Sequence, residues 1–467
     1  VRAVNIYFSL LNIVEESLAL HERRQAISAN EHMWPGSFHD TLLGMKARGI
    51  AFEELEGLIG QLCFLPVLTA HPSEAKRRTV KGALRNIFVS MEALDDPRLR
   101  GGPHEDAMQH LANQIQILWK TDEVRESKPD VRDEIRTGLS YFPLSIFEAV
   151  AQTYRNLTRA VRDVYGEPAA AQLNVSNLFR FGSWIGGDRD GHPLVTAEVT
   201  ALAWRMQART VLEEYLHRIE SMSSLLSFSL RMCKPSPAFM ASLEQDAQYA
   251  ALRFGDQPNR YQQEPYRRKL QLMRYRLKRN LAAAQNIIDG IAPNMDDAGY
   301  PNADALLNDL NLIRDSLIGH GDEAVAEGEV TDLIRLVETF GFHLMQLDVR
   351  QESTVHTRAV AEWLNASLAI DYEALNEGQR LDLLSRLLAD PTQLPVLPDG
   401  LSDTTQEVLR VFDVITRMRA ELGPPCFGKY VISMTHTASH VLEVLLLAAS
   451  AGLLGCKDGA WHCHIGV

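Results

Sequence analysis

The chain has 467 residues, 46% of them hydrophobic and 23% charged, a balance that describes a folded protein with a large core rather than a disordered one. Its net charge of −13 argues against a duplex nucleic-acid partner, which needs a basic face. The longest apolar stretch, Val444 to Gly455, is too short to span a bilayer, so no membrane is expected as a partner either.

In chain order, the first strand signal is Leu65-Pro66-Val67-Leu68, which runs straight into the polar cluster Thr69-Ala70-His71-Pro72-Ser73-Glu74. A break rich in Pro, Gly and Asp follows at Asp96–Pro103. Ile146, Val150, Tyr154, Leu157 and Val161 recur at helical spacing, with Ser145 and Glu148 placed as a capping box before them and Gly166 as a stop. A second apolar run, Phe179 to Trp184, enters Ile185-Gly186-Gly187-Asp188-Arg189-Asp190-Gly191. Val211, Tyr215, Ile219 and Met222 make a stripe on a polar helix, and Arg260 to Ala283 predicts a long helix with a basic face (Arg267, Arg268, Lys269, Arg274, Arg276, Lys278, Arg279). Past a break at Ala292–Asn302, the third run, Leu344 to Val349, enters Arg350-Gln351-Glu352-Ser353. After another break at Asp390–Asp403, the fourth run, Tyr430 to Met434, enters Thr435-His436. Val444 to Gly455 predicts a packed helix and its C-cap, and Gly459 to Val467 a turn opening a further apolar run. Val1 in place of Met and that last run read as cut ends. The cysteines Cys63, Cys233, Cys426, Cys456 and Cys463 are scattered and odd in number, which suits a reducing cytosol better than a disulfide framework.

Strands that carry reactive groups at their C-terminal ends suggest an α/β barrel or sheet with its site on that face. The gap from the first run to the second exceeds a hundred residues, whereas a plain barrel needs about thirty per βα unit. The expected fold is therefore mostly α with a small β component: an incomplete TIM-like barrel decorated by helical insertions, forming one large unit over 1–467.

His71 stands before Pro72, which favours an extended or turn conformation; an imidazole there can exchange a proton near neutral pH, or it is a plain loop histidine. The glycines of the 186–191 loop permit positive φ and close backbone approach, so its amides could face an anion, or Asp188, Arg189 and Asp190 could lock the loop by ion pairs. The loop lacks the closing glutamate of a calcium site, having Ala197 there. Trp184 is a core aromatic or a pocket wall. Alternation places Arg350 on the same side as Asp348, and its partner is Asp348, Glu352 or an anionic ligand. His436 with His440, and His462 with His464, offer zinc spacing only superficially, without a zincin glutamate or a Cys-x-x-Cys.

In their order and spacing the four clusters resemble those of phosphoenolpyruvate carboxylases. The matching residues are Val67-Leu68-Thr69-Ala70-His71-Pro72-Ser73-Glu74 with Arg77-Arg78-Thr79, Gly182 through Gly191, Leu347 through Ser353, and Tyr430-Val431-Ile432-Ser433-Met434. The opening Ile6-Tyr7-Phe8 through Glu16 is similar to a segment the family carries somewhat inside its N-terminus. The sequence departs from the family at Ser73, where threonine is usual, at His192, where asparagine is common, and after Met434, where a proline and an aspartate are usual. The resemblance implies carboxylation of phosphoenolpyruvate by bicarbonate through carboxyphosphate and an enolate. It implies His71 as the group handling the carboxyphosphate proton, Arg350 as the clamp for phosphoryl and carboxylate groups, and Trp184 at the bicarbonate site. It also implies Mg²⁺ or Mn²⁺ held by ligands beyond Val467, a cytoplasmic tetramer, and no activity for this chain alone. A truncated, non-catalytic anion-binding or regulatory subunit is the alternative.

Overall fold

The structure, a computed structural model, describes residues 1–28, 33–69, 77–96, 98–123, 130–173, 175, 178–291, 298–390, 394–457 and 460–467. All four apolar runs become strands of one sheet: β1 (Val67–Leu68), β2 (Gly182–Ser183), β3 (Gln346–Glu352) and β4 (Phe427–Ser433) pair in that order, each pair parallel. Parallel pairing follows from helical returns between consecutive strands. Backbone bonds carry the β1–β2 pairing upstream, from Phe64 N to Leu178 O (2.7 Å) and from Arg180 N to Phe64 O (3.0 Å). The fold is thus mostly helical around a small parallel sheet, as expected. Among the described residues these four strands form an open sheet rather than a closed barrel.

Contacts divide the chain into two compact units: Val1–Gln61, Ala70–Asp130 and Thr153–Val175, and then Leu62–Thr69, Val131–Gln152 and Ser176–Val467. The described part of the first is helical. Ile6 and Ile13 of the Arg2–Ser28 helix, Val80, Ala83 and Ile87 of the Arg78–Leu94 helix and Leu118 form its core cluster, each set at helical spacing. By length and composition alone the Arg2–Ser28 helix would also cross a bilayer, although its apolar residues form no unbroken run; here Ile6 and Ile13 are buried in protein.

In the second unit the Ala197–Leu225 helix buries the predicted stripe Val211, Tyr215, Ile219 and Met222. Trp204 Nε1 donates to Cys426 O (2.8 Å), tying that helix to the start of β4, and Tyr215 donates to Gly341 O (2.8 Å). Phe142, Phe147, Phe181 and Phe340 pack with ring centroids 5.2 to 5.9 Å apart and hold the chain entering β2.

Three local expectations change. Ser145 caps nothing: the chain already coils over Phe142–Ile146, with Pro143 suited to a first turn, so Ser145 Oγ donates back to Tyr141 O (3.3 Å) and Glu148 pairs with Arg218 (3.3 Å). The basic helix begins at Pro265, not Arg260, because Tyr261 takes a φ of 61° and the turn closes before the proline; it runs to Ile288. The tail forms a hairpin, β5 (Leu454–Lys457) with β6 (Ala460–Cys463), after which Gly466 O accepts the N–H of Tyr430 on β4 (2.8 Å).

Much of the basic face of Pro265–Ile288 is neutralised within the fold. Arg267 meets Glu264 (2.9 Å) and Arg274 meets Glu220 (2.6 Å), while Arg268 donates to the carbonyls of Arg260 and Pro258. Fully buried Lys269 lies 2.5 Å from Asp246 and 2.6 Å from Asp309, with Ser242 as its third acceptor. Arg276 faces the same two carboxylates and stacks on Tyr300. Removing one partner from such a set leaves buried charge uncompensated. Lys269→Ala is therefore expected to lower unfolding free energy by about 3–5 kcal/mol in urea titrations.

Candidate functional site at the strand ends

Parallel strands present their C-terminal ends together, and here those ends are stapled by side chains. Ser183 Oγ at the end of β2 donates to Leu68 O at the end of β1 (2.9 Å) and accepts the N–H of Ile185 (3.1 Å). Trp184 then opens a tight turn in which the amides of Gly187 and Asp188 both donate to its carbonyl (2.8 and 3.0 Å). Gly186 takes a φ of +84°, and a Cβ there would press on Ala203 and Ile135; at Gly187 a Cβ would collide with the carbonyl of Asp348.

That close approach lets the loop dock on β3 as a further stretch of sheet. Arg350 N donates to Gly187 O (3.0 Å) and Arg189 N to Arg350 O (2.9 Å), so Asp188 pairs with Arg350 as a parallel bridge. The Arg350 guanidinium lies 4.7 Å from the centre of the Trp184 ring and 3.7 Å from Asp188 Oδ2, and about a third of its side chain is exposed. The structure thus brings two of the three predicted site residues together. The third, His71, lies outside the described residues.

Several expected roles change hands. Of the two carboxylates proposed for Arg350, Asp348 instead accepts the backbone N–H of Lys429 (2.8 Å), and Glu352 caps the Ser353–Leu368 helix through Thr354. The partner is Asp188, brought across by the docked loop, a placement with no local signal in sequence. The amides of residues 187 to 190 are all engaged within the protein, so none of these four faces outward to an anion. Asp188 makes its ion pair with Arg350 on β3 rather than inside the loop. Arg189 is buried and donates to Gly187 O (3.0 Å), Thr196 O (3.3 Å) and Thr200 Oγ1 (2.6 Å), and burial lowers its pKa.

Sequence reasoning missed the groups at β4. Tyr430 stacks on Phe412 (5.0 Å) and its hydroxyl meets His356 Nε2 (2.8 Å). Ser353 Oγ donates to the carbonyl of Met434, whose φ of 53° places a non-glycine residue in the left-handed region at the end of β4. Beyond it, Glu377 accepts both the N–H and the hydroxyl of Ser439 (2.9 and 2.7 Å). Glu443 accepts from Thr357 and Tyr372, and burial raises its pKa. His436 and His440 meet only through the His436 amide (3.4 Å), and His462 stacks on His464. Among the described residues no three His, Cys, Asp or Glu side chains converge as metal ligands.

Burial holds the His356 pKa near 3, against 6.5 for an exposed imidazole. The unfolded chain takes up this proton below about 6.5 and the folded protein only near 3, so stability is lost as pH falls through that window. The expected slope is about 1.4 kcal/mol per pH unit for this one group. Melting temperatures between pH 7.5 and 4.5 should fall less steeply for His356→Gln, which keeps a hydrogen-bonding partner for Tyr430 without the titration.

A sequence model of the phosphoenolpyruvate carboxylase family matches residues 1–465. The chain is 34% identical over 463 residues to the phosphoenolpyruvate carboxylase of Roseiflexus castenholzii, covering 97% of this chain and 48% of that protein. Those of Rhodothermus marinus (35% over 471 residues, 99% and 48%) and Gloeobacter violaceus (36% over 476 residues, 98% and 49%) are similar to it in the same way. The chain spans about half the length of these relatives.

Proposed function

The chain belongs to the phosphoenolpyruvate carboxylase family, and from that premise we propose that its strand-end site is part of a centre that carboxylates phosphoenolpyruvate with bicarbonate to oxaloacetate and phosphate. The observation that carries this reading is the Arg350 guanidinium, about a third exposed on the face of Trp184, with the Asp188 carboxylate at 3.7 Å. A planar cation held by an aromatic face keeps its N–H fork for a phosphoryl or carboxylate group, and its weak ion pair costs little to exchange for a dianion.

In the proposed sequence a bicarbonate oxygen attacks phosphorus, and the bond from phosphorus to the enol oxygen breaks with its electron pair, giving carboxyphosphate and the pyruvate enolate. Arg350 holds the anionic groups through this exchange. Trp184 supplies an apolar wall that keeps water from the hydrolysable intermediate. His71 takes the carboxyphosphate proton as carbon dioxide and phosphate separate, a task suited to an imidazole near neutral pH. The enolate carbon then adds to carbon dioxide. Among the described residues no ligand set converges for the Mg²⁺ or Mn²⁺ that the family resemblance implies, and that resemblance implies ligands in the half of the relatives' length that this chain does not span. The whole protein is expected to work as a cytoplasmic homo-oligomer, a tetramer by family resemblance.

Calorimetric titration of the chain with phosphoenolpyruvate should show binding that weakens at least tenfold, about 1.4 kcal/mol, in Arg350→Ala. A coupled assay with phosphoenolpyruvate, bicarbonate and Mg²⁺ should detect no oxaloacetate from the chain alone. Equal affinity in Arg350→Ala would falsify the assignment of the clamp.

A further inference from the structure

Where β3 meets β4 the pairing slips. Leu347 stands opposite Phe427 but Val349 opposite Tyr430, so Asp348 alone faces both Gly428 and Lys429. Bulges are uncommon between parallel strands, and they gather beside active sites, where they re-aim a side chain. This one is filled by a side chain: Asp348 Oδ1 accepts the N–H of Lys429 at 2.8 Å. A Cβ at Gly428 would collide with that same oxygen. On the opposite edge of β3, the Asp348 carbonyl meets Gly187 so closely that a Cβ there would also collide. Residue 348 is therefore clasped by a glycine from the loop and a glycine from β4.

The clasp acts on Arg350. Two residues on, and on the same side of the strand by alternation, Arg350 is bonded through its own N and O to Gly187 and Arg189. Past the bulge the pairing runs unbroken, with Arg350 opposite Val431 and Glu352 opposite Ser433. A slip of one residue at Asp348 would turn Arg350 to the other face of the strand. Burial works against the Asp348 carboxylate, and the Lys429 N–H and the nearby charges of Arg350 and Lys429 offset it.

We propose that Asp348 is a positioning residue for Arg350: by filling the bulge it fixes the register at which β3 carries the guanidinium onto Trp184. Its carboxylate is an acceptor built into the sheet and does not touch the substrate. The inference rests on reading Arg350 and Trp184 as the anion subsite.

The test uses the chain and three variants, Asp348→Ala, Asp348→Asn and Leu310→Ala, the last removing core volume from a buried site on the Ala303–Gly319 helix. Trp184 emission is isolated by difference against Trp184→Phe. It should shift to the red in Asp348→Ala and return in Asp348→Asn, which keeps an acceptor for Lys429. With phosphoenolpyruvate as the probe, Asp348→Ala should raise the dissociation constant about tenfold and Asp348→Asn less than about threefold. Leu310→Ala should lower the melting temperature without changing affinity, which separates positioning from general loss of stability. Unchanged Trp184 emission in Asp348→Ala overturns the inference, as does an Asp348→Asn variant no better than Asp348→Ala. If the parent chain fails to bind phosphoenolpyruvate, the proposed function fails, and the emission arm alone then decides the role of Asp348.

Discussion

The site depends on one close approach of backbone to backbone: Gly187 against the carbonyl of Asp348. Because no side chain stands at residue 187, the loop after β2 can lie along β3 and exchange two hydrogen bonds with Arg350. The rest follows from that contact. It sets Asp188 opposite Arg350, it brings the Trp184 ring under the guanidinium, and it sends Arg189 inward. A buried guanidinium is costly without partners, and here carbonyls and a threonine hydroxyl offset the cost. Arginine suits that task because its charge is delocalised and weakly hydrated.

The basic residues of the second unit divide by how they are held. Lys269, Arg267 and Arg274 sit 2.5 to 2.9 Å from carboxylates, close enough that their charge is spent within the fold. Arg350 has an aromatic face at 4.7 Å and a carboxylate at 3.7 Å. Coulomb attraction falls with distance and rises in low dielectric, so a half-buried cation with a long ion pair keeps more of its field for a ligand. The strongly basic helix, the louder signal in the sequence, spends its charge on the fold, and a single arginine at a strand end is the better candidate for an anion.

The four strands were legible because each is a short apolar run with its polar cluster adjacent in sequence, and adjacency survives folding. Trp184 and Arg350 were legible for the same reason. The partners were not, because Asp188 reaches Arg350 only through the pairing of β2 and its loop with a strand more than 150 residues away. Locally, Asp348 and Glu352 were better candidates, and each was taken by a backbone or helix-end donor nearby. The capping box failed by a similar competition, since Pro143 lets the chain coil early and leaves Ser145 inside the turn. Tyr430 with His356 gave no local signal at all: two residues of ordinary appearance become a buried pair only once β4 lies beside β3 and the helix that follows it.

That buried pair also constrains the charge state of the layer behind the site. Tyr430 is pinned through its N–H to Gly466 and through its hydroxyl to His356, and its environment includes the charge of Arg189. Arg189 has no hydrogen-bonded carboxylate there, only neutral acceptors. A proton on His356 would be stripped of water in that interior, and the cost of that burial, with His440 as a smaller contribution, is what holds its pKa near 3. A neutral His356 is therefore the form that meets the buried Tyr430 hydroxyl. Arg189, through Gly187 O, Thr196 O and Thr200 Oγ1, braces the loop that presents Trp184 and Asp188 to Arg350. Tyr430 thus borders both that buried arginine and the uncharged imidazole, in the layer behind Arg350.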